Sequence, residues 1–389
     1  MSFERLKDFL DGDLAMLGIP GSDTIIYKDH REVFRYQSGF DSLRDRTPVR
    51  PDALYNLYSC SKVSTGVAAS QLIERGEIVL DDPLYTIFPE YRHMAIAHKR
   101  ENGEIELVEA KKPITLHHLL TMTSGMTYNY GAECIKKVKE TTQGRCPTVE
   151  VARAFAAEPL SFEPGERFQY SFSLDIIGAV IEEVSGMSYG NYLKKNVFEP
   201  LGMEDTGFRI PEEKVSRMAC QYAYDATTKE AKEISATQNP YTLGSEFESG
   251  GAGIISSVND YILLADALAN LGVGKNGNRI LSAPAVNLMR TNQLTENQLG
   301  PFMTTFGGHL MGYGYGLCVR TNLRPWLGGS LSPVGEFGWD GAKLCYFIAD
   351  PENRIAVFHA EHMGAFHCYV EPRLRNIIYS CLSYEGLLG

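Results

Sequence analysis

Apolar residues recur at helical spacing from the start of the chain: Phe3, Leu6, Phe9, Leu10 and Leu14, with charges between them. This stripe predicts an amphipathic N-terminal helix. It does not read as a secretory leader, which needs an unbroken apolar stretch and a small-residue cleavage site. Strand-like runs follow at 25–27 and 33–36, separated by the turn-forming "KDHRE", and predict a β-hairpin. After an extended, proline-marked "TPVRPDALYNLYS", a helical period returns in Val63, Val67, Ala68, Leu72 and Ile73, with Gly76 placed to end it. Helices are predicted at 116–121, 149–157, 175–184 and 189–196, with irregular links between them. The polar segment 218–248 gives no assignable pattern. Glycines in "GGAG" predict a turn or a close backbone approach, and Ser257 with Asp260 suggests a capping box ahead of a helix at 261–271. "KLCYFIAD" and "RIAVFHAE", joined by "PEN", predict a second hairpin, and Leu374, Ile377, Ile378, Cys381 and Leu382 a final helix.

Helix and hairpin thus come first, helices in the middle, and strands and a helix last. The economical assembly is an α+β fold. An antiparallel sheet built from both chain ends is flanked by the N- and C-terminal helices, and a mostly helical lobe is inserted. The expected division is 1–58 with 246–389 for the sheet domain and 59–245 for the helical one, with the active site between them. A length of 389 residues, 44% hydrophobic, is enough to give such lobes a sizeable core. The net charge of -11 repels phosphate backbones and anionic lipid, so neither nucleic acid nor a membrane surface is an expected partner. The lysines of "IKKVKE" and "EAKKP" read as solvated faces, and no run is long enough to span a bilayer. Eight scattered cysteines without Cys-x-x-Cys fit a reduced, cytoplasmic chain with free thiols; a Cys134–Cys146 disulfide is the open alternative.

Three stretches carry candidate chemistry. In "LYSCSKVSTG", Ser59 precedes Lys62 by three residues, so both side chains share one helix face. A serine hydroxyl is a poor nucleophile without a base, and a lysine serves as one only when desolvation or neighbouring charge lowers its pKa. The plainer alternative is a helix cap at Ser59 or Ser61 with an incidental lysine. In "EPGERFQYSFSLDIIG", Tyr170 stands at a turn–helix junction, where a phenol near a lysine can act as a base or proton shuttle; a half-buried structural tyrosine is the alternative. In "EFGWDGAKLCYFIAD", glycines flank Trp339-Asp340 directly before a strand, and a free N–H there can complete an oxyanion hole with that of Ser59.

In this order, and with "ITLHHLLTMTSGM", "EEVSGMSYGNYLKKNVFEPLGMEDTGF", "SGGAGIISSVNDY" and "GYGYGL", these stretches resemble the serine β-lactamase and penicillin-binding-protein superfamily. The motifs are most similar to class C β-lactamases, family VIII carboxylesterases and lovastatin-type acyltransferases. The resemblance implies a site between sheet and helical lobe. It implies Ser59 as acylated nucleophile, Lys62 as its activator and Tyr170 as the donor to the leaving group. The backbone N–H groups of Ser59 and Ala342 become the oxyanion hole, and Phe172, Trp339, Asp340 and Gly341 become substrate contacts.

Two departures bear on the substrate. Where the β-lactamases have Tyr-x-Asn, this chain has Tyr170-Ser171-Phe172. Where they carry a basic residue in the third motif, it has Trp339. Both changes remove groups that suit a β-lactam or peptide, so a small-molecule ester or acyl substrate is expected, without a cofactor. A β-lactamase or D-alanyl peptidase is the second expectation and a ligand-binding homologue the third. His359, His362 and His367 fall within nine residues but share neither helix nor strand period, so they are expected to border the cleft rather than hold a metal. His117 and His118 read as structural, Cys60 as a small buried filler pointing away from Ser59, and Tyr313 and Tyr315 as a strand facing either cleft or core.

Overall fold

A computed structural model describes residues 2–388. Its main sheet has eight antiparallel strands. Their spatial order is Tyr313–Tyr315, Arg320–Asn322, Phe337–Gly338, Cys345–Asp350, Ile355–Ala360, Gly21–Lys28, Arg31–Ser42 and Thr47–Pro48. Both expected hairpins form. They lie side by side because Gly21–Lys28 pairs with Ile355–Ala360, placing Thr24 opposite His359. Asp29 and His30 make the first turn with φ of 49° and 65°, the left-handed pair that a two-residue hairpin requires.

The central strands are buried on both faces, and the two-residue side-chain period sorts them. Ile26, Tyr346, Ile348, Ile355 and Val357 face the terminal helices, where Leu6, Phe9, Leu10, Leu374, Ile378 and Leu382 cover them. Ile25, Phe347, Ala349, Ala356 and Phe358 face the opposite way, into the larger core with Tyr261, Leu264 and Leu268 of the helix Val258–Ala269. The N-terminal helix is not uniform: Glu4–Asp8 and Leu14–Met16 are α-helical, and Phe9–Asp13 is a π turn. The C-terminal helix is His367–Tyr384.

The helix after Ser59 differs from its expected start. Tyr58–Cys60 is a single 3₁₀ turn, with Tyr58 at φ 48°, and the α-helix proper is Ser61–Glu74. Ser61 is not a cap; its hydroxyl accepts from the Ile254 N–H. Gly76 ends the helix as expected: its N–H donates to the Ile73 carbonyl and that of Glu77 to Leu72, a Schellman closure. The helix is buried on every side from Ser61 to Leu72, because it threads the interior rather than covering it.

The expected helices appear as Leu116–Leu120, Thr148–Phe155, Ser173–Ser185 and Tyr189–Leu193. Thr115 and His118 cap the first of these reciprocally, which gives His118 its structural role. Ser257 caps its helix through the Asp260 N–H, but the reciprocal arm is missing: the Asp260 carboxylate accepts instead from Asp205 and Thr206. The unassigned segment holds a small hairpin, Gln221–Asp225 with Glu230–Ile234. The "IKKVKE" lysines lie exposed on the helix Glu133–Thr141. All eight cysteines are free, Cys134 and Cys146 included. No helix among the described residues is long and apolar enough to cross a membrane.

One buried ion pair steadies the sheet edge that carries Trp339. Arg320, paired in register with Gly338, lies 3.5 Å from Glu336, and both side chains are inaccessible to solvent. Glu336 also accepts from Tyr313 and Ser332. Glu336→Ala strands a buried guanidinium, and a loss of about 3 to 5 kcal/mol in unfolding free energy is expected by urea denaturation.

Candidate active site

The 3₁₀ turn sets the Ser59 hydroxyl at the mouth of the buried helix, and Lys62 follows one turn later. Lys62 Nζ lies 3.1 Å from Ser59 Oγ, and it also donates to the Gly251 carbonyl. The ammonium sits over the Tyr170 ring, 4.6 Å from its centroid. Burial lowers the Lys62 pKa to about 8, because an amine removed from water loses the hydration that favours its charged form.

The glycine-rich segment is what reaches Lys62. A Cβ on Gly250 would lie 2.2 Å from the Leu174 carbonyl oxygen, and one on Gly251 2.9 Å from Asp175 Oδ2. Only glycines let this backbone approach the helix Ser173–Ser185 so closely. Asp175, in that helix's first turn, is fully buried and accepts from Ser249, Tyr130 and the Gly251 N–H. Burial pushes its carboxyl up. Asp175 did not enter the sequence reading as a site residue. The signal available was a single acid inside the apolar run "SLDIIGAVI".

Tyr170 completes the cluster. Its hydroxyl donates to Ser59 Oγ at 2.8 Å and accepts from Trp339 Nε1 at 3.3 Å. The Tyr170 and Trp339 rings stack at 5.9 Å with 13° between planes. Burial holds the Tyr170 phenol well above its ordinary range, so it rests protonated despite the neighbouring lysine. A hydroxyl between a near-neutral amine and a neutral phenol can lose a proton to one partner while the other supplies one.

Ser59 and Ala342 line one cleft of about 530 Å³ with Tyr170, Trp339 and Asp340. The Ala342 N–H takes no hydrogen bond among the described residues. Gly341 does not line the cleft but backs it. A Cβ there would sit 2.3 Å from the Leu57 carbonyl oxygen, so glycine is what lets this loop pack against the turn that holds Ser59. Phe172 is a correction. It is fully buried, stacked on Phe155 at 4.4 Å and edge-on to Tyr130, and it does not reach the cleft. An apolar side chain in this position finds a better partner in the aromatic core than in a wet cleft.

Of the three clustered histidines, only His367 borders the cleft, where its Nε2 donates to the Gly341 carbonyl. His359 is buried in the sheet between Thr24 and Glu361, and His362 accepts from the Asn56 N–H. Cys60 is a buried filler whose thiol donates to the Cys345 carbonyl, away from the cleft. Tyr315 packs edge-on against Trp339 at 5.1 Å, while Tyr313 turns to Glu336. Unforeseen lining comes from Tyr241, Phe306, His309, Phe366 and Tyr369, and no lysine or arginine lines the cleft.

The chain as a whole is similar to known proteins. The chain is 30% identical over 291 residues to esterase EstB of Burkholderia gladioli, covering 69% of this chain and 70% of that one. It is 28% identical over 364 residues to acyltransferase calJ of Penicillium decumbens, covering 89% and 84%. A mutant of the simvastatin synthase LovD from Aspergillus terreus superimposes with a TM-score of 0.81 at 21% identity, covering 98% of this chain and 97% of that one. The sequence profile described as Beta-lactamase matches residues 6–360. The match begins in the first helix, ends in the last central strand and so takes in most of the chain: this protein belongs to the β-lactamase family.

Proposed function

We propose that this protein is a serine hydrolase that opens small carboxylic esters through an acyl-enzyme on Ser59 and can pass the acyl group to an alcohol in place of water. The observation that carries this reading is the hydrogen-bonded row Lys62–Ser59–Tyr170 at the wall of an aromatic cleft. Neutral Lys62 takes the Ser59 proton as Oγ attacks the ester carbonyl. The oxyanion rests on the N–H groups of Ser59 and Ala342. Tyr170 protonates the departing alcohol and is reprotonated from Lys62. Water or a second alcohol then repeats the sequence in reverse.

The cleft supports an uncharged acyl group. Its walls include Trp339, Phe306 and Tyr241, and Asp340 is the acid at its edge. A β-lactam or peptide carboxylate would meet no lysine or arginine side chain among the lining residues. The similarity to EstB speaks for hydrolysis and that to calJ for transfer, and the acceptor that reaches the acyl-enzyme decides between them. The cleft is proposed to lie between the sheet domain, 1–58 with 246–389, and the helical domain, 59–245. Eight unpaired thiols favour a reducing compartment such as the cytoplasm.

Purified protein is expected to cleave short-chain p-nitrophenyl esters, and Ser59→Ala to reduce turnover to background. Unchanged turnover in that variant would overturn the reading. Lys62→Ala and Tyr170→Phe are each expected to lower kcat by about 10²- to 10⁴-fold. Only the neutral amine accepts a proton, so kcat/KM should rise with pH while Lys62 is charged and level off above its pKa of about 8. A pH–rate profile on one ester measures this directly.

A further inference from the structure

Three residues from distant parts of the chain converge on one wall of the cleft, outside the Lys62–Ser59–Tyr170 row. His309 follows the helix Glu296–Thr305, Asp340 belongs to the third motif, and Glu371 lies on the C-terminal helix. One side-chain ligand atom from each lies within 4.8 Å of the other two. His309 and Asp340 also line the cleft.

The proton on His309 can be placed. Nδ1 lies 2.7 Å from the Phe306 carbonyl, which accepts only from an N–H. Nε2 therefore turns a bare lone pair toward Glu371 Oε2, 3.6 Å away. His309 Nε2, Asp340 Oδ1 and Glu371 Oε1 are all buried without a hydrogen-bond partner in the protein. The side chains of His309 and Glu371 are only 4% and 1% exposed. Each of the three residues thus carries a buried acceptor atom without a hydrogen-bond partner.

A proton answers this poorly. The 3.6 Å separation is beyond hydrogen-bond reach, and one proton joins only two of the three groups. A cation answers it well. Metal–ligand bonds of about 2.1 Å in a tetrahedral site hold neighbouring donor atoms about 3.4 Å apart. The Nδ1 bond to a backbone carbonyl is also how a metal-binding imidazole is commonly oriented.

We propose that His309, Asp340 and Glu371 bind one divalent zinc-type cation in the cleft wall. One imidazole nitrogen and two carboxylates suit zinc, whereas magnesium and calcium prefer oxygen donors alone.

The test is zinc titration of the chelator-treated full-length protein, followed by calorimetry and by metal analysis after desalting. One equivalent is expected, with His309→Gln and Glu371→Gln each binding about a hundredfold more weakly or worse. Asp340→Asn, at a half-exposed position, serves if either buried variant fails to fold. Cys368→Ser is expected to bind as the wild type does. The Cys368 thiol lies 3.6 Å from His309 Nδ1, so loss of binding in that variant would assign the zinc to the thiol and overturn the proposal. Absence of zinc uptake by the wild type would overturn it too, as would uptake that all three ligand variants leave unchanged.

Discussion

A primary amine held out of water is the constraint on which the rest of this site depends. Burying Lys62 costs several kcal/mol unless its N–H groups find partners. The fold supplies the Gly251 carbonyl, the Ser59 hydroxyl and the face of Tyr170, with Asp175 as the nearest opposing charge. Each partner makes its own demand. The carbonyl demands the two glycines, Asp175 demands a buried hydroxyl network, and the amine demands a helix with no solvent face. A lysine left at the surface would have kept its ordinary pKa, and the serine beside it would have stayed inert.

The third motif shows how one requirement can be met by different chemistry. Trp339 brings no charge, yet its indole N–H reaches the Tyr170 hydroxyl and its ring stacks on the phenol. It orients a cleft residue rather than binding an anion. Gly341, two residues on, acts through what it lacks: any side chain there would strike the Leu57 carbonyl and push the loop away from the turn that holds Ser59. Orientation of the Tyr170 phenol and attachment of the loop thus reside in neighbouring residues.

Much of this was legible in the sequence, for local reasons. The two hairpins announced themselves by alternation and turn residues, and the Gly76 helix stop by its position. Ser59 and Lys62 were legible because three residues on a helix fix their relation. Phe172 misled because motif position says where the backbone goes, not which way a side chain turns; the Phe155 and Tyr130 rings that attract it are remote in sequence. Asp175 and His309 were missed for the same reason, since their importance arises only where distant segments meet. The hairpin at Gln221–Asp225 escaped because its strands are short and polar, with little apolar alternation to read.

The sheet's strand order has a consequence for the life of the chain on the ribosome. Thr24 bonds to His359, 335 residues further on. The first hairpin must wait, unpaired on one edge, until almost the whole protein has been synthesised. The turn bearing Ser59 and the helix bearing Lys62 emerge early, but Trp339 and Ala342 arrive near the end. Incomplete chains therefore carry one wall of the cleft without the other, and the cleft is completed only when translation is nearly finished.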